Sequence, residues 1–159
     1  MRRIWGKYDN ITRQALGACF FAFLFNGVLT MMIGSALLDM KATYNLSDTQ
    51  AGLMLSGHSA GNLIACFLSG LVPLWLGRRK SITVLSAIAA IGFIMMLVSG
   101  NPLWLITAFV LTGVGRGSIC NFNNGTVNLV TGGSPTAINL LHSFFAIGAI
   151  SAPLLFLLA

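Results

Sequence analysis

The sequence predicts an all-α integral membrane protein of about five spanning helices, and three observations carry that reading. Apolar residues make up 56% of the chain against 8% charged, with a mean hydropathy of +0.86, whereas a soluble domain uses roughly 25% charged residues to cover its surface. Five stretches are long enough to cross a hydrocarbon core about 30 Å thick, which takes roughly 20 apolar residues at 1.5 Å of rise each. The basic residues gather at the ends of these stretches: Arg2, Arg3, Lys7 and Arg13 precede the first, and Arg78, Arg79 and Lys80 separate the second from the third. A formal charge of +6 would suggest a nucleic-acid partner in a soluble chain. Here the cations read as membrane anchors, and no nucleic acid is expected.

The spans run approximately over 15–38, 51–76, 81–99, 102–127 and 137–159, and they form a single transmembrane domain. The first apolar run, about 24 residues, is longer than the 7 to 15 of a signal-peptide core and lacks a small-residue cleavage site, so it is retained. Lys41 alone follows it. Clusters of cations before span one and after span two put the amino terminus and the Gly77–Lys80 turn in the cytoplasm. Ser47-Asp48-Thr49-Gln50 reads as a capping box opening span two, with Leu46 as its hydrophobic staple; Asn45-Leu46-Ser47 also fits a glycosylation sequon. Asn101-Pro102 turns the chain into span four, and Gly132-Gly133-Ser134-Pro135 breaks it before span five.

Two glycine motifs carry no enzyme chemistry. Gly57-His58-Ser59-Ala60-Gly61 fits the G-x-S-x-G pattern of a hydrolase nucleophile. That pattern needs a strand–turn–helix context and an acid-supported histidine, and here it lies inside an apolar span. Gly57 and Gly61, four apart, instead suit a close helix crossing. Gly113-Val114-Gly115-Arg116-Gly117 lacks the preceding strand of a nucleotide loop. Cys19, Cys66 and Cys120 each fall in apolar surroundings, so neither a disulfide nor a metal site is implied. No catalytic residue and no cofactor are expected.

The polar residues inside the spans are few and recur at helical spacing. Arg116 lies about halfway along span four, where a cation costs at least roughly 2.5–3.5 kcal/mol. Span one carries Cys19, Asn26 and Thr30; span two His58, Asn62 and Cys66; span four Gly117, Asn121, Asn124 and Asn128; span five Asn139 and His142. In lipid such side chains turn toward protein or water, either as bridges between helices or as the lining of a polar cavity suited to hydroxyl-rich solutes.

Gly70-Leu71-Val72-Pro73-Leu74-Trp75-Leu76-Gly77-Arg78-Arg79-Lys80 resembles the signature turn of the major facilitator superfamily: a glycine, a second glycine seven residues on, then two basic residues. The family's Asp between the glycines is Leu74 here. Gly115-Arg116-Gly117 with Asn124, and Ile138-Asn139-Leu140-Leu141-His142-Ser143-Phe144 with Gly148-Ala149 and Pro153, resemble helices four and five of its fucose permease-like branch of sugar:proton symporters. The run from Tyr44 through Gln50-Ala51-Gly52-Leu53 is similar to the family's entry into helix two. The acids that this branch carries on helices one and four align with Gly34 and Cys120, which leaves His58 or His142 to serve any proton coupling.

The resemblance implies a partial major-facilitator-type N-terminal bundle, with the sixth helix missing, from a twelve-helix transporter of two inverted-repeat halves. Its function would be secondary active transport of a small polar solute, a monosaccharide, across the bacterial cytoplasmic membrane by alternating access. The solute contacts would be Asn26, Asn121, Asn124, Asn139, His142 and Arg116, and the cytoplasmic turn Gly70, Gly77, Arg78 and Arg79. Its partners would be the solute, a proton, the lipid bilayer, and the missing C-terminal half or a second copy. The alternative is a small membrane protein that oligomerises through glycine-rich helix faces and transports nothing.

Overall fold

The computed structural model describes residues 8–157, without the side chains of 155–157, so the anchors Arg2, Arg3 and Lys7 and the last residues of the fifth expected span lie outside it. The described residues form five helices and no strand: α1 (Asn10–Thr43), α2 (Asp48–Leu76), α3 (Arg78–Val98), α4 (Pro102–Thr131) and α5 (Pro135–Leu157). All five are long and apolar enough to cross a membrane. α3, with 21 residues, reaches about 30 Å, one hydrocarbon thickness. The outer faces are what lipid requires and water would penalise: Leu97 is 84% exposed and Trp75 79%.

Each connection follows from its residues. α1 overruns its apolar stretch and ends at Thr43; Asn45 takes the left-handed conformation at φ 52°, and the Leu46 amide returns to the Lys41 carbonyl at 3.0 Å. The capping box opening α2 is present in both directions. Ser47 Oγ accepts from the Gln50 amide at 3.2 Å, and the Ser47 amide donates to Gln50 Oε1 at 2.9 Å. Leu46 beside it is buried, and Lys41 pairs with Asp48 across the turn. Asn101 Oδ1 caps α4 by accepting from the Leu103 amide at 3.0 Å. The break before α5 uses positive φ at Gly132 and Gly133, with the Gly133 amide closing on the Asn128 carbonyl at 2.9 Å.

The chain divides into two compact units, Met1–Met32 with Phe122–Ala159, and Ile33–Asn121. In the first unit α1 packs on α5 through aromatic rings. Phe20 stacks on Phe144 with centroids 5.2 Å apart, while Phe23 meets His142 edge-on at 5.5 Å and Phe145 at 6.1 Å. The backbones close in where side chains vanish: a Cβ on Gly27 would strike the Phe145 carbonyl, and one on Gly148 the Leu24 carbonyl.

In the second unit the core is Ile33, Leu37, Leu46, Met54, Met96, Leu105, Ala108 and Phe109. Here α4 is held from two sides. Toward α2, Gly61 lies against the Val110 carbonyl and Gly113 against the His58 carbonyl, so the crossing expected from Gly57 and Gly61 is present and is reciprocated from α4. Toward α3, Gly92 and Gly115 meet Ala108, Thr112 and Ala89. Two aromatic contacts fasten the α3–α4 hairpin: the Tyr44 ring covers Gly100, and Trp104 Nε1 donates to the Met95 carbonyl at 2.8 Å.

Candidate functional site

In the first unit the polar positions are spread over α1, α4 and α5. Asn26 is only 2% exposed, and neither its Nδ2 nor its Oδ1 has a hydrogen-bond partner among the described residues. Its backbone is satisfied: Thr30 Oγ1 folds back onto the Asn26 carbonyl at 2.5 Å. Two orphaned amide atoms in an apolar interior cost about 1–3 kcal/mol each, so packing alone does not account for an asparagine there. Phe23, one turn before Asn26, is buried and carries His142 on its ring edge. His142 itself is exposed, as is Asn139 one turn earlier on α5; Asn124 on α4 is half-buried. Asn128, also exposed, sits where α4 reaches its C-terminal turn, whose Asn128 carbonyl receives the Gly133 amide. The inward turn expected of the polar stripes thus holds for Asn26 and Cys19, whereas Cys66, Asn128, Asn139 and His142 are exposed.

In the second unit a polar cluster forms along the α2–α4 crossing. His58 Nδ1 lies 3.2 Å from Thr112 Oγ1, and that hydroxyl lies 2.8 Å from the Phe109 carbonyl. Thr112 is fully buried and His58 half-buried. Arg116 follows Thr112 by four residues on the same face of α4 and is half-buried, as are Asn121 and Asn62. Gly117 lets Asn62 approach: a Cβ there would lie 2.6 Å from Asn62 Oδ1. Ser59, the hydrolase-like serine, donates its hydroxyl to the Leu55 carbonyl at 3.0 Å, while the His58 ring turns to α4. Cys66 is exposed and its thiol lies 3.5 Å from the Asn62 carbonyl.

Sequence reasoning missed Thr112 and Ser118. Ser118 is fully buried and its hydroxyl has no partner among the described residues. The available signal was helical spacing, since Thr112 and Arg116 are one turn apart. The His58–Thr112 pairing, 54 residues apart in the chain, leaves no local trace.

The signature turn also takes shape in the second unit. Gly77 is the single residue between α2 and α3, at φ 73° and ψ 156°, a conformation that a side chain resists. Its amide donates to the Pro73 carbonyl at 3.0 Å, and its carbonyl accepts from the Ser81 amide at 3.1 Å and the Ser81 hydroxyl at 2.8 Å. Arg78, Arg79 and Lys80 are exposed beside it, as is Leu74 where the family places its acid. Nothing lies within 4 Å of a Cβ on Gly70.

The chain is similar to known transporters. It is 30% identical over 133 residues to the arabinose-proton symporter of Bacillus subtilis (strain 168), covering 81% of this chain and 28% of that protein. It is 28% identical over 113 residues to organic cation/carnitine transporter 7 of Arabidopsis thaliana, covering 71% and 22%. It is 28% identical over 86 residues to polyol transporter 5 of the same plant, covering 54% and 16%. The chain thus spans less than a third of the length of these relatives. No solved structure matches it significantly. The Major Facilitator Superfamily profile matches residues 19–158, and together with five membrane-capable helices and the glycine-hinged basic turn this makes the chain a multi-pass membrane protein belonging to that superfamily of transporters.

Proposed function

We propose that this chain is the N-terminal part of a twelve-helix secondary active transporter that moves a small polar solute, a monosaccharide or polyol, by alternating access. Two of the similar proteins are named for arabinose–proton symport and polyol transport, which favours a hydroxyl-rich solute. The observation that carries the reading is Asn26, a buried amide whose donor and acceptor both lack a protein partner among the described residues. A hydroxyl, which donates and accepts at one atom, complements such an amide. The remaining candidate contacts are Asn124, Asn139 and His142 in the first unit and Arg116 and Asn121 in the second. His58 and His142 are the candidates for taking up a co-transported proton, since the positions of the family's acids hold Gly34 and Cys120.

The positive-inside rule sets the orientation within a bacterial cytoplasmic membrane, with Arg13 and the Arg78–Arg79–Lys80 turn in the cytoplasm. The rest of the transporter, or a second copy, completes the translocation path. The alternative, oligomerisation through glycine faces, loses much of its proposed surface, because Gly27, Gly61, Gly113 and Gly148 are taken up by crossings within the units.

Asn26→Ala tests the assignment. Uptake of labelled arabinose by liposomes carrying the complete transporter with this substitution should fall about tenfold or more, which is the loss of one to two hydrogen bonds. Thermal stability in detergent should hold steady or rise, because an orphaned amide is removed. Undiminished uptake would remove Asn26 from the solute path.

A further inference from the structure

The hydrogen bonds around His58 determine which of its ring nitrogens is free. Thr112 Oγ1 carries a single proton and lies 2.8 Å from the Phe109 carbonyl, which can only accept. With that proton committed, the contact of 3.2 Å between Thr112 Oγ1 and His58 Nδ1 is satisfied only if Nδ1 carries the hydrogen and donates. In the opposite tautomer the hydroxyl would turn its proton to Nδ1, leaving two oxygens 2.8 Å apart with no hydrogen between them. Neutral His58 is therefore an Nδ1–H imidazole, and its Nε2 is a bare lone pair with no hydrogen bond among the described residues.

The position of the ring is built into the crossing. Gly113 touches the His58 carbonyl, Gly57 lies against the Val110 side chain and Gly61 against the Val110 carbonyl, so the backbone bearing His58 is pressed onto the α4 turn that bears Thr112. Arg116 lies one turn beyond Thr112 on the same face of α4. Neither α2 nor α4 carries an acid within this stretch.

We propose that Thr112 is a positioning residue that locks His58 in the Nδ1–H tautomer, so that His58 Nε2 accepts a hydrogen bond from a hydroxyl of the transported solute. The proposal rests on the transporter reading above and names a solute contact and an atom that the reading left unspecified. It assigns His58 and Arg116 complementary parts: the imidazole takes a solute hydrogen and the guanidinium gives hydrogens to solute oxygens. A polyhydroxylated solute presents both on adjacent carbons.

The test has two arms. In the first, the protein labelled with 15N-histidine is reconstituted in lipid nanodiscs, and the His58 signals are identified by their loss in His58→Gln; the chain holds only one other histidine, His142. At neutral pH the wild type and Thr112→Ser should show a protonated Nδ1 and a bare Nε2, whereas Thr112→Val should shift toward the Nε2–H form. An Nε2–H wild type, or an unchanged tautomer in Thr112→Val, overturns the lock.

In the second arm, binding of labelled arabinose and of sorbitol is measured on the same nanodiscs. Thr112→Val and His58→Asn should each weaken binding about tenfold, the effect of one lost hydrogen bond to a buried partner. Thr112→Ser and His58→Gln should retain it, since glutamine can place an acceptor where Nε2 stood. Wild-type binding that survives Thr112→Val and His58→Asn undiminished overturns this inference alone, and absence of wild-type binding to either probe overturns the transporter reading with it.

Discussion

Asp9 shows how one side chain organises the start of α1. Its Oδ1 accepts from the Thr12 amide at 3.1 Å, and its carbonyl receives the Arg13 amide at 3.0 Å, which makes it the N-cap of the helix. Hydrogen bonds from Thr12, aided by the Arg13 charge, hold the Asp9 carboxyl below its ordinary value of 3.8. A carboxylate depressed in the folded state stabilises that state fully above its unfolded value and loses the contribution as pH falls through the folded one. The cap should therefore persist at and above the ordinary carboxylate value and release only as the pH falls below it. The Thr12 amide proton resonance should titrate with a midpoint under 3.8 and lose that titration in Asp9→Asn, which caps without ionising. A midpoint at or above the ordinary value would show that the carboxylate is not the acceptor. At the same scale, Asn26 and Thr112 illustrate opposite uses of a buried polar group: Thr112 is satisfied and orients His58, while Asn26 is left open.

Among the helices, glycine placement decides which pairs can meet. α2 and α4 approach because Gly61 and Gly113 each remove a side chain where the partner's carbonyl lies, a close crossing favoured in lipid, where packing rather than hydrophobic force joins helices. Gly61→Val and Gly113→Val should each destabilise the protein by about 2 kcal/mol or more, because the added carbons overlap backbone that cannot rotate away. Gly34→Ala is the contrasting case: a Cβ there has nothing within 4 Å, and alanine favours a helix interior over glycine by roughly 0.5–1 kcal/mol. Heat unfolding in detergent, followed by circular dichroism, should place the variants on opposite sides of the wild type. Equal behaviour of Gly61→Val and Gly34→Ala would mean that the crossing is looser than described. Pro73 and Pro153 lie inside α2 and α5, where a missing amide leaves a carbonyl one turn back without its helical bond.

For the molecule as a whole, the arrangement of charge predicts the orientation in the bilayer. A cysteine placed at Asn45, with the native cysteines replaced, should react with a membrane-impermeant maleimide added outside intact cells, whereas one at Arg79 should react only after permeabilisation. The reverse pattern would overturn the assigned topology. The sequence by itself determined the fold class, the number of spanning helices and most of their ends, because these depend on local quantities: the length of an apolar run, a Ser47–Gln50 capping box, a glycine pair before Pro135. It also marked Asn26, His58 and Arg116, since polar residues are conspicuous in apolar segments. Its apolar windows stopped short of the true ends of α1 and α4, where backbone hydrogen bonding carries a helix past the residues that lipid selects. Only the tertiary structure decided which polar groups find partners. His58 reaches Thr112 across 54 residues of chain, Gly113 answers Gly61, and Asn26 meets no one among the described residues. Such pairings depend on the register and rotation of one helix against another, which side-chain packing sets and no local run of residues records.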